Sequence, residues 1–251
     1  MLLFAALLVL ALPAPMAASV APTMPSAAPK LFYFDFPGKA AGLRLAAAHG
    51  GFEIQDHRFK SIADLTAMKE SGELPYGQVP ALCVDGKILG QSCSIMRYIG
   101  KQTGLYPTDP VKAALVDSIM DQEADMTSGI TCCRYQERFG FEVLGGAEGE
   151  GTKTAYTAIA ERVLPRHLAM LERVMQDGGT GWVAGTPEPT IADFTLAPRL
   201  QFIASGIDGI PSSCLDAYPG LKGLIGKVRE LPAVVAWNTK VTAAGSAPEL
   251  V

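Results

Sequence analysis

Two short stretches place chemistry-bearing residues at a suggestive spacing: Gln78-Val79-Pro80 before the apolar run 81–84, and Gln91-Ser92 at the start of a helical pattern. A Val-Pro step at a strand entrance suits a cis peptide, a geometry nearly confined to proline. Such a turn leaves the Val79 N–H and C=O as an edge to which a peptide pairs like an added strand; the alternative is a trans proline that merely starts the strand. At a helix start, unpaired N–H groups and the positive dipole end favour a carboxylate. Ser92 can bind that carboxylate and Gln91 an amino-acid head group, although Ser at such a position also serves as a plain N-cap. A peptide edge beside an amino-acid cradle points to a small peptide with a free α-carboxylate.

The elements that must position these residues follow from apolar periodicity and turn signals. "KLFYFDF" reads as a buried strand closed by Pro37-Gly38, and "AAGLRLAAAHGG" as a helix ending at Gly50-Gly51. "FEIQDHRF" alternates as a second strand, and "SIADLTAMKESG" as a short polar helix or loop. "PALCVD" and "KILG" flank Asp85-Gly86, a two-residue hairpin signal, before the helix "SCSIMRYIGKQTG". The order β-α-β-α-β-β-α requires two parallel strands joined by a right-handed crossover, with a hairpin completing the sheet. That is a thioredoxin-like arrangement over residues 30–105. "YPTDP" at 106–110 reads as a linker, and 111–251 as all-helical, with segments near 110–139, 153–176, 191–205 and 218–230. The fold class expected is therefore α/β plus all-α.

"LFYFDFPGKAAGLRL", "PYGQVPAL", "VDGKILGQSCSIMRYIG" and the downstream "GTPEPTIADF" together resemble the cytosolic-type glutathione S-transferases. They are most similar to the sigma class, which includes glutathione-dependent prostaglandin D synthase. The resemblance implies a thioredoxin-like domain binding reduced glutathione as co-substrate, a helical domain forming the pocket for a hydrophobic electrophile, and a homodimer. It makes Tyr33 the catalytic hydroxyl. A thiol of pKa near 8.5 is only about 3% thiolate at pH 7, and a phenol O–H donated to the sulfur favours the anion; as a residue of an aromatic strand, Tyr33 equally suits core packing. The same resemblance gives the cysteinyl part of glutathione to Gln78 and Val79, with Pro80 shaping the turn. It gives the γ-glutamyl part to Gln91 and Ser92, the glycyl carboxylate to Lys69, and a reach across the dimer to Asp125.

Several positions depart from the pattern. Lys39 stands where the sigma class has an Arg supporting the thiolate, a point charge in place of a planar fork. Leu65 lies near the place of the Trp expected at the glycyl end, and Ala124 replaces one of the adjacent acids that bind a divalent ion in some relatives, so no metal is expected. Thr190 and Asp193 form a capping box with Asp in place of Glu. Phe36, Ile130 and Tyr135 suit either the electrophile pocket or the core. His49, His57 and His167 have no ligand or triad spacing, and no Cys-Pro-aromatic arrangement follows the first strand, which disfavours a protein-cysteine mechanism.

The formal net charge of -4 and the absence of a basic cluster exclude a polyanion partner such as nucleic acid. The five cysteines are odd in number and two are adjacent, unlike a disulfide-stapled secreted domain. Residues 1–29 carry no charge and read as a targeting leader or a disordered tail. As a leader they suggest secretory entry, with a weak likeness to plastid leaders at "ASVAP"; the apolar run is too short for a stable membrane span. Without a working leader the chain is expected in the cytoplasm. Function then reduces to three readings: conjugation of glutathione to soft electrophiles, a glutathione-dependent isomerase acting on an endoperoxide or related lipid, or a non-catalytic crystallin-like binder on the same fold.

Overall fold

The computed structural model describes residues 25–251; the expected leader lies outside the described residues over 1–24. Among the described residues, no helix is long and apolar enough to cross a membrane.

Strand β1 (Lys30–Phe34) alternates in burial, so Leu31 and Tyr33 point into the core. Helix α1 (Ala41–His49) follows a single 3-10 turn at Gly38–Ala40 and ends at Gly50. Strand β2 (Gln55–Phe59) is shorter than the alternating sequence suggests, starting after Ile54, and runs parallel to β1 with Tyr33 opposite Arg58. The ambiguous polar segment is a helix, α2 (Ile62–Glu70), made possible by a Ser61–Asp64 capping box although it buries none of its residues. Strands β3 (Ala81–Val84) and β4 (Lys87–Gly90) form the expected hairpin, with Asp85 at φ 46° and Gly86 at φ 77°. Helix α3 (Ser92–Thr103) completes the domain and stops at Gly104, φ 74°. The sheet order β2-β1-β3-β4, with one parallel and two antiparallel pairings, is thioredoxin-like.

Helix α4 (Pro110–Arg134) begins inside the expected linker, because the Asp109 side chain accepts the Lys112 N–H and Pro110 suits the first helical position. There follow the single turn α5 (Gln136–Phe139), α6 (Glu150–Ala158), α7 (Leu164–Gly178), α8 (Ile191–Ile203), α9 (Pro219–Arg229) and α10 (Pro232–Ala243). A wide π turn over Ile159–Val163 joins α6 to α7 beside Pro165, which has no N–H to continue an α ladder. The Thr190–Asp193 capping box is present, and Asp193 also accepts the Val183 N–H, so its burial leaves its oxygens satisfied. The two domains meet where α1 packs on α8: a Cβ added at Gly42 would lie 2.2 Å from the Phe194 carbonyl oxygen, so only glycine permits this approach.

A charged cluster behind β1 fastens the C-terminal segment to the first domain. Arg44, fully buried on α1, donates to the carbonyls of Phe34 and Phe36, to Asp56 and to Glu249. Arg58 adds bonds to Asp56, Asp35 and Glu249, which is itself buried. Removing one partner of a buried ion pair strands the other charge at about 3–5 kcal/mol; since Arg44 keeps Asp56, Glu249→Ala is expected to cost about 3 kcal/mol, measured as a lower urea midpoint at unchanged slope. Asp35 is held at about 2 by Lys60 first, then Ser246 and Arg58. Its folded pKa lies below its unfolded value, so its contribution is present above about pH 4 and lost as pH falls towards 2. Asp35→Asn is expected to remove that part of the acid limb in a pH series of thermal melts.

Candidate functional site

The sheet register collects the expected binding residues at one edge. Phe32 pairs with Ala81 and Ala81 with Gly90, so the next residues along the three strands, Tyr33, Pro80 and Gln91, share the same end of the sheet. The Val79-Pro80 peptide is cis. Among the described residues, the Val79 N–H and C=O have no hydrogen-bond partner, which leaves that edge open to an incoming strand. Gln91 has φ 68° and ψ 116°, a left-handed backbone that a non-glycine residue rarely adopts and that is found disproportionately at ligand-binding positions. It sits immediately before α3, and no side chain caps that helix, so its first N–H groups face outward.

A cleft of about 320 Å³ opens in front of this edge, between the domains. Gly38, Lys39, Gln91, Ser92 and Cys93 line it from the first domain; Glu123, Ala124, Arg138, Phe139 and Arg199 line it from α4, α5 and α8. A larger cavity, about 1050 Å³, lies entirely within the helical domain, around Arg134, Tyr156 and Asp208. Size favours the larger one, but only the smaller combines the sheet edge, a helix start and a second domain.

Tyr33 does not itself line the cleft; it is buried directly behind Gly38 and Lys39, which do. Its hydroxyl oxygen accepts the Lys39 backbone N–H at 3.1 Å, and among the described residues nothing accepts its proton. Burial pushes the phenol pKa up, a shift partly opposed by the Lys39 N–H and by the Arg199 and Arg44 charges, so the group stays a protonated donor at neutral pH. The approach requires Gly38: at φ 46°, a Cβ there would stand 2.4 Å from the Tyr33 hydroxyl oxygen. Lys39 lines the cleft, where desolvation first and then Arg199 push its ammonium pKa down while Glu123 acts in the opposite direction.

Lys39, Gln91 and Ser92 thus share the cleft, with Tyr33 behind them and Pro80 and Gln91 on one row of the sheet. Gln78 and Val79 lie on the loop entering that row. Lys69 is on the exposed side of α2 and Asp125 on the exposed side of α4; neither lines the cleft. Ile130 is core, Phe36 is exposed and stacks on Phe34, and Tyr135 borders the larger cavity. His49, His57 and His167 lie apart, against Phe194, among Phe32 and Phe59, and beside Gln122. Sequence reading missed Gly38, Glu123, Arg138 and Arg199. Glu123 holds Arg199 at 2.8 Å across α4 and α8. The isolated Arg in the apolar helix "IADFTLAPRLQFI" was a signal for the last of these.

A thioredoxin-like sheet set against a helical domain, with a cleft at the seam, defines a two-domain class of protein. Residues 29–101 match the family model described as the glutathione S-transferase N-terminal domain, and 142–240 the one described as its C-terminal domain. Glutathione S-transferase 1 of Ascaris suum is 36% identical over 83% of this chain and 94% of its own length. The hematopoietic prostaglandin D synthase of Gallus gallus is 30% identical over 84% and 95%. The crystal structure of the glutathione S-transferase from Ascaris lumbricoides superposes with TM-score 0.68 at 32% identity, covering 85% of this chain and 97% of that one. The chain belongs to the glutathione S-transferase family, and is an enzyme of that family.

Because a methyl at position 38 meets the Tyr33 hydroxyl, Gly38→Ala is expected to lower glutathione-dependent turnover by about tenfold or more. A steady-state assay on protein with an unchanged far-ultraviolet spectrum checks this.

Proposed function

We propose that this enzyme conjugates reduced glutathione to soft electrophiles through a thiolate stabilised by Tyr33. The observation that carries the reading is the hydrogen-bond state of the phenol: its oxygen accepts the Lys39 N–H, and among the described residues no group accepts its proton, just behind the Gly38–Lys39 side of the cleft. In the proposed pose the cysteinyl backbone pairs with the open edge at Val79, Gln78 borders it, and the γ-glutamyl carboxylate meets Ser92 and the N–H groups of α3. The sulfur then falls near the phenol. An O–H donated to the sulfur lowers the thiol pKa; about two units correspond to roughly 2.7 kcal/mol, within reach of a charge-assisted bond in a desolvated site.

Positive charge beside the sulfur comes from two sources. Lys39 occupies the position where the sigma class has an Arg, and Arg199 enters from α8, oriented by Glu123. The thiolate attacks the electrophilic carbon to form the C–S bond, and the displaced electron pair leaves with the leaving group or passes to a carbonyl oxygen. The similarity to a prostaglandin D synthase supports a variant in which the same thiolate assists isomerisation of an endoperoxide. We also assign the enzyme to a homodimer in which Asp125, exposed on α4, reaches the γ-glutamyl ammonium of glutathione in the partner, and Lys69 to the glycyl carboxylate.

The test is Tyr33→Phe with an aryl halide as electrophile. The expected result is a loss of about a hundredfold in kcat/KM, with the pH midpoint of the glutathione thiolate absorbance at 240 nm moving up by about two units. Full activity with an unmoved midpoint would remove Tyr33 from the mechanism.

A further inference from the structure

If the enzyme conjugates glutathione, the reading on which this inference rests, the electrophile must lie against the helical wall of the cleft, and that wall holds one fixed donor. Glu123 on α4 is buried, and it accepts the Nε–H of Arg199 on α8 at 2.8 Å. That bond uses a single N–H of the guanidinium fork. Among the described residues nothing accepts the others, and the Arg199 side chain is 18% exposed and lines the cleft. The guanidinium carbon also lies 5.5 Å from the centre of the Phe202 ring, so a buried carboxylate and an aromatic face together hold the fork.

The other hydroxyl and cationic donors of that wall are spent or loose. Thr127, Thr131 and Thr195 donate their hydroxyl protons to carbonyls one turn back in their own helices, and Ser128 donates to that of Asp125. Arg138 is exposed, borders the larger cavity as well, and has no carboxylate within ion-pair distance among the described residues. Arg199 is placed by the packing of its helix. Gly42 lets α1 approach the Phe194 carbonyl, and Pro198, one turn on, has no N–H to give that carbonyl. Arg199, the next residue, then lines the same cleft as Gly38 and Lys39, with the Tyr33 hydroxyl behind them. Burial raises the phenol pKa and lowers that of the Lys39 ammonium; the Arg199 charge opposes the first shift and adds to the second, so it is felt at both groups.

We propose that Arg199 is a second catalytic residue: its free N–H groups donate to the oxygen on which negative charge collects as the thiolate adds to an electrophile, and Glu123 is the positioning residue that aims them. Tyr33 serves the thiol and Arg199 the electrophile. With a nitroaryl halide, the sulfur forms a bond to the halogen-bearing carbon while a ring π pair moves onto an ortho-nitro oxygen. The pair then returns to the ring, the carbon–halogen bond breaks, and the halide leaves with its electrons. Once the thiol has ionised, no proton and no oxidant are required. A donor fixed before the reaction stabilises that oxygen without reorienting during it, and deleting one such donor lowers turnover by about a hundredfold to a thousandfold.

The test compares chlorodinitrobenzene, whose addition step loads a nitro oxygen, with iodomethane, which reacts with any accessible thiolate and loads none. Both consume the same thiolate and are measured on the same sample at saturating glutathione. Changes in thiol ionisation, or in the fraction of folded protein, therefore cancel in the ratio of their kcat/KM values. Arg199→Gln is expected to lower the nitroaryl-to-iodomethane ratio by about thirtyfold or more, the loss lying in kcat for the nitroaryl halide while its KM changes less than about threefold. Arg199→Lys is expected to restore part of the ratio, and Glu123→Gln, which keeps the guanidinium but loosens it, to lower it about fivefold. An ion pair that only joined α4 to α8 would leave the ratio unmoved in all three variants, and the inference would fall while conjugation stood. A change confined to KM would make Arg199 a binding group and would also defeat it, as would native enzyme that consumes iodomethane but not the nitroaryl halide. No reaction with iodomethane would mean no thiolate at the site and would overturn both readings.

Discussion

The Arg44 guanidinium is the constraint on which the site depends. Withdrawn completely from water, it is tolerable only while its N–H groups are matched, and the partners it finds are spread over three parts of the chain. Two are the carbonyls of Phe34 and Phe36, which fix the path of the chain as it leaves β1. One is Asp56 on β2, and one is Glu249. The guanidinium also lies 5.8 Å from the centre of the Tyr33 ring. Satisfying one buried cation therefore sets the turn that carries Tyr33, Gly38 and Lys39, and the hydroxyl reaches the Lys39 N–H as a consequence.

The cleft reverses that arrangement. Behind the sheet every buried charge has an opposite partner; in front of it Lys39 and Arg138 are exposed and, among the described residues, have no carboxylate within ion-pair distance. The phenol lies between the two sides: burial keeps its proton on, opposed in part by the Lys39 N–H and by the charges of Arg199 and Arg44.

Much of the fold was legible because it rests on local signals: Asp85-Gly86 for the hairpin, Thr190 and Asp193 for the start of α8, and the apolar and aromatic run from Leu31 to Phe36 for β1. Pro80 and Gln91 were legible as a pair, and the register explains why, since hairpin pairing alone brings them level. The boundary errors have local causes too. Phe52–Ile54 alternate like a strand yet lie ahead of the β1 partner residues, and Pro110 belongs to a helix because Asp109 caps it. What was hidden depends on long-range packing. Nothing near Glu123 in sequence announces Arg199, and nothing near Arg44 announces Glu249. Gly38 was readable as a turn residue, but its closeness to a hydroxyl is a fact of the folded chain alone.

The Arg44–Glu249 pair joins residues separated by 205 positions. Closing so long a loop is entropically slow, and the contact is worth forming only once α10 has docked beside it. The sheet is assembled from residues 30–90, whereas the carboxylate that settles the turn behind Tyr33 comes from beyond the helices of the second domain. The first domain thus takes its topology from pairings close in sequence, while the setting of the turn that follows β1 waits on the second domain, so the two domains are coupled in folding as well as in contact.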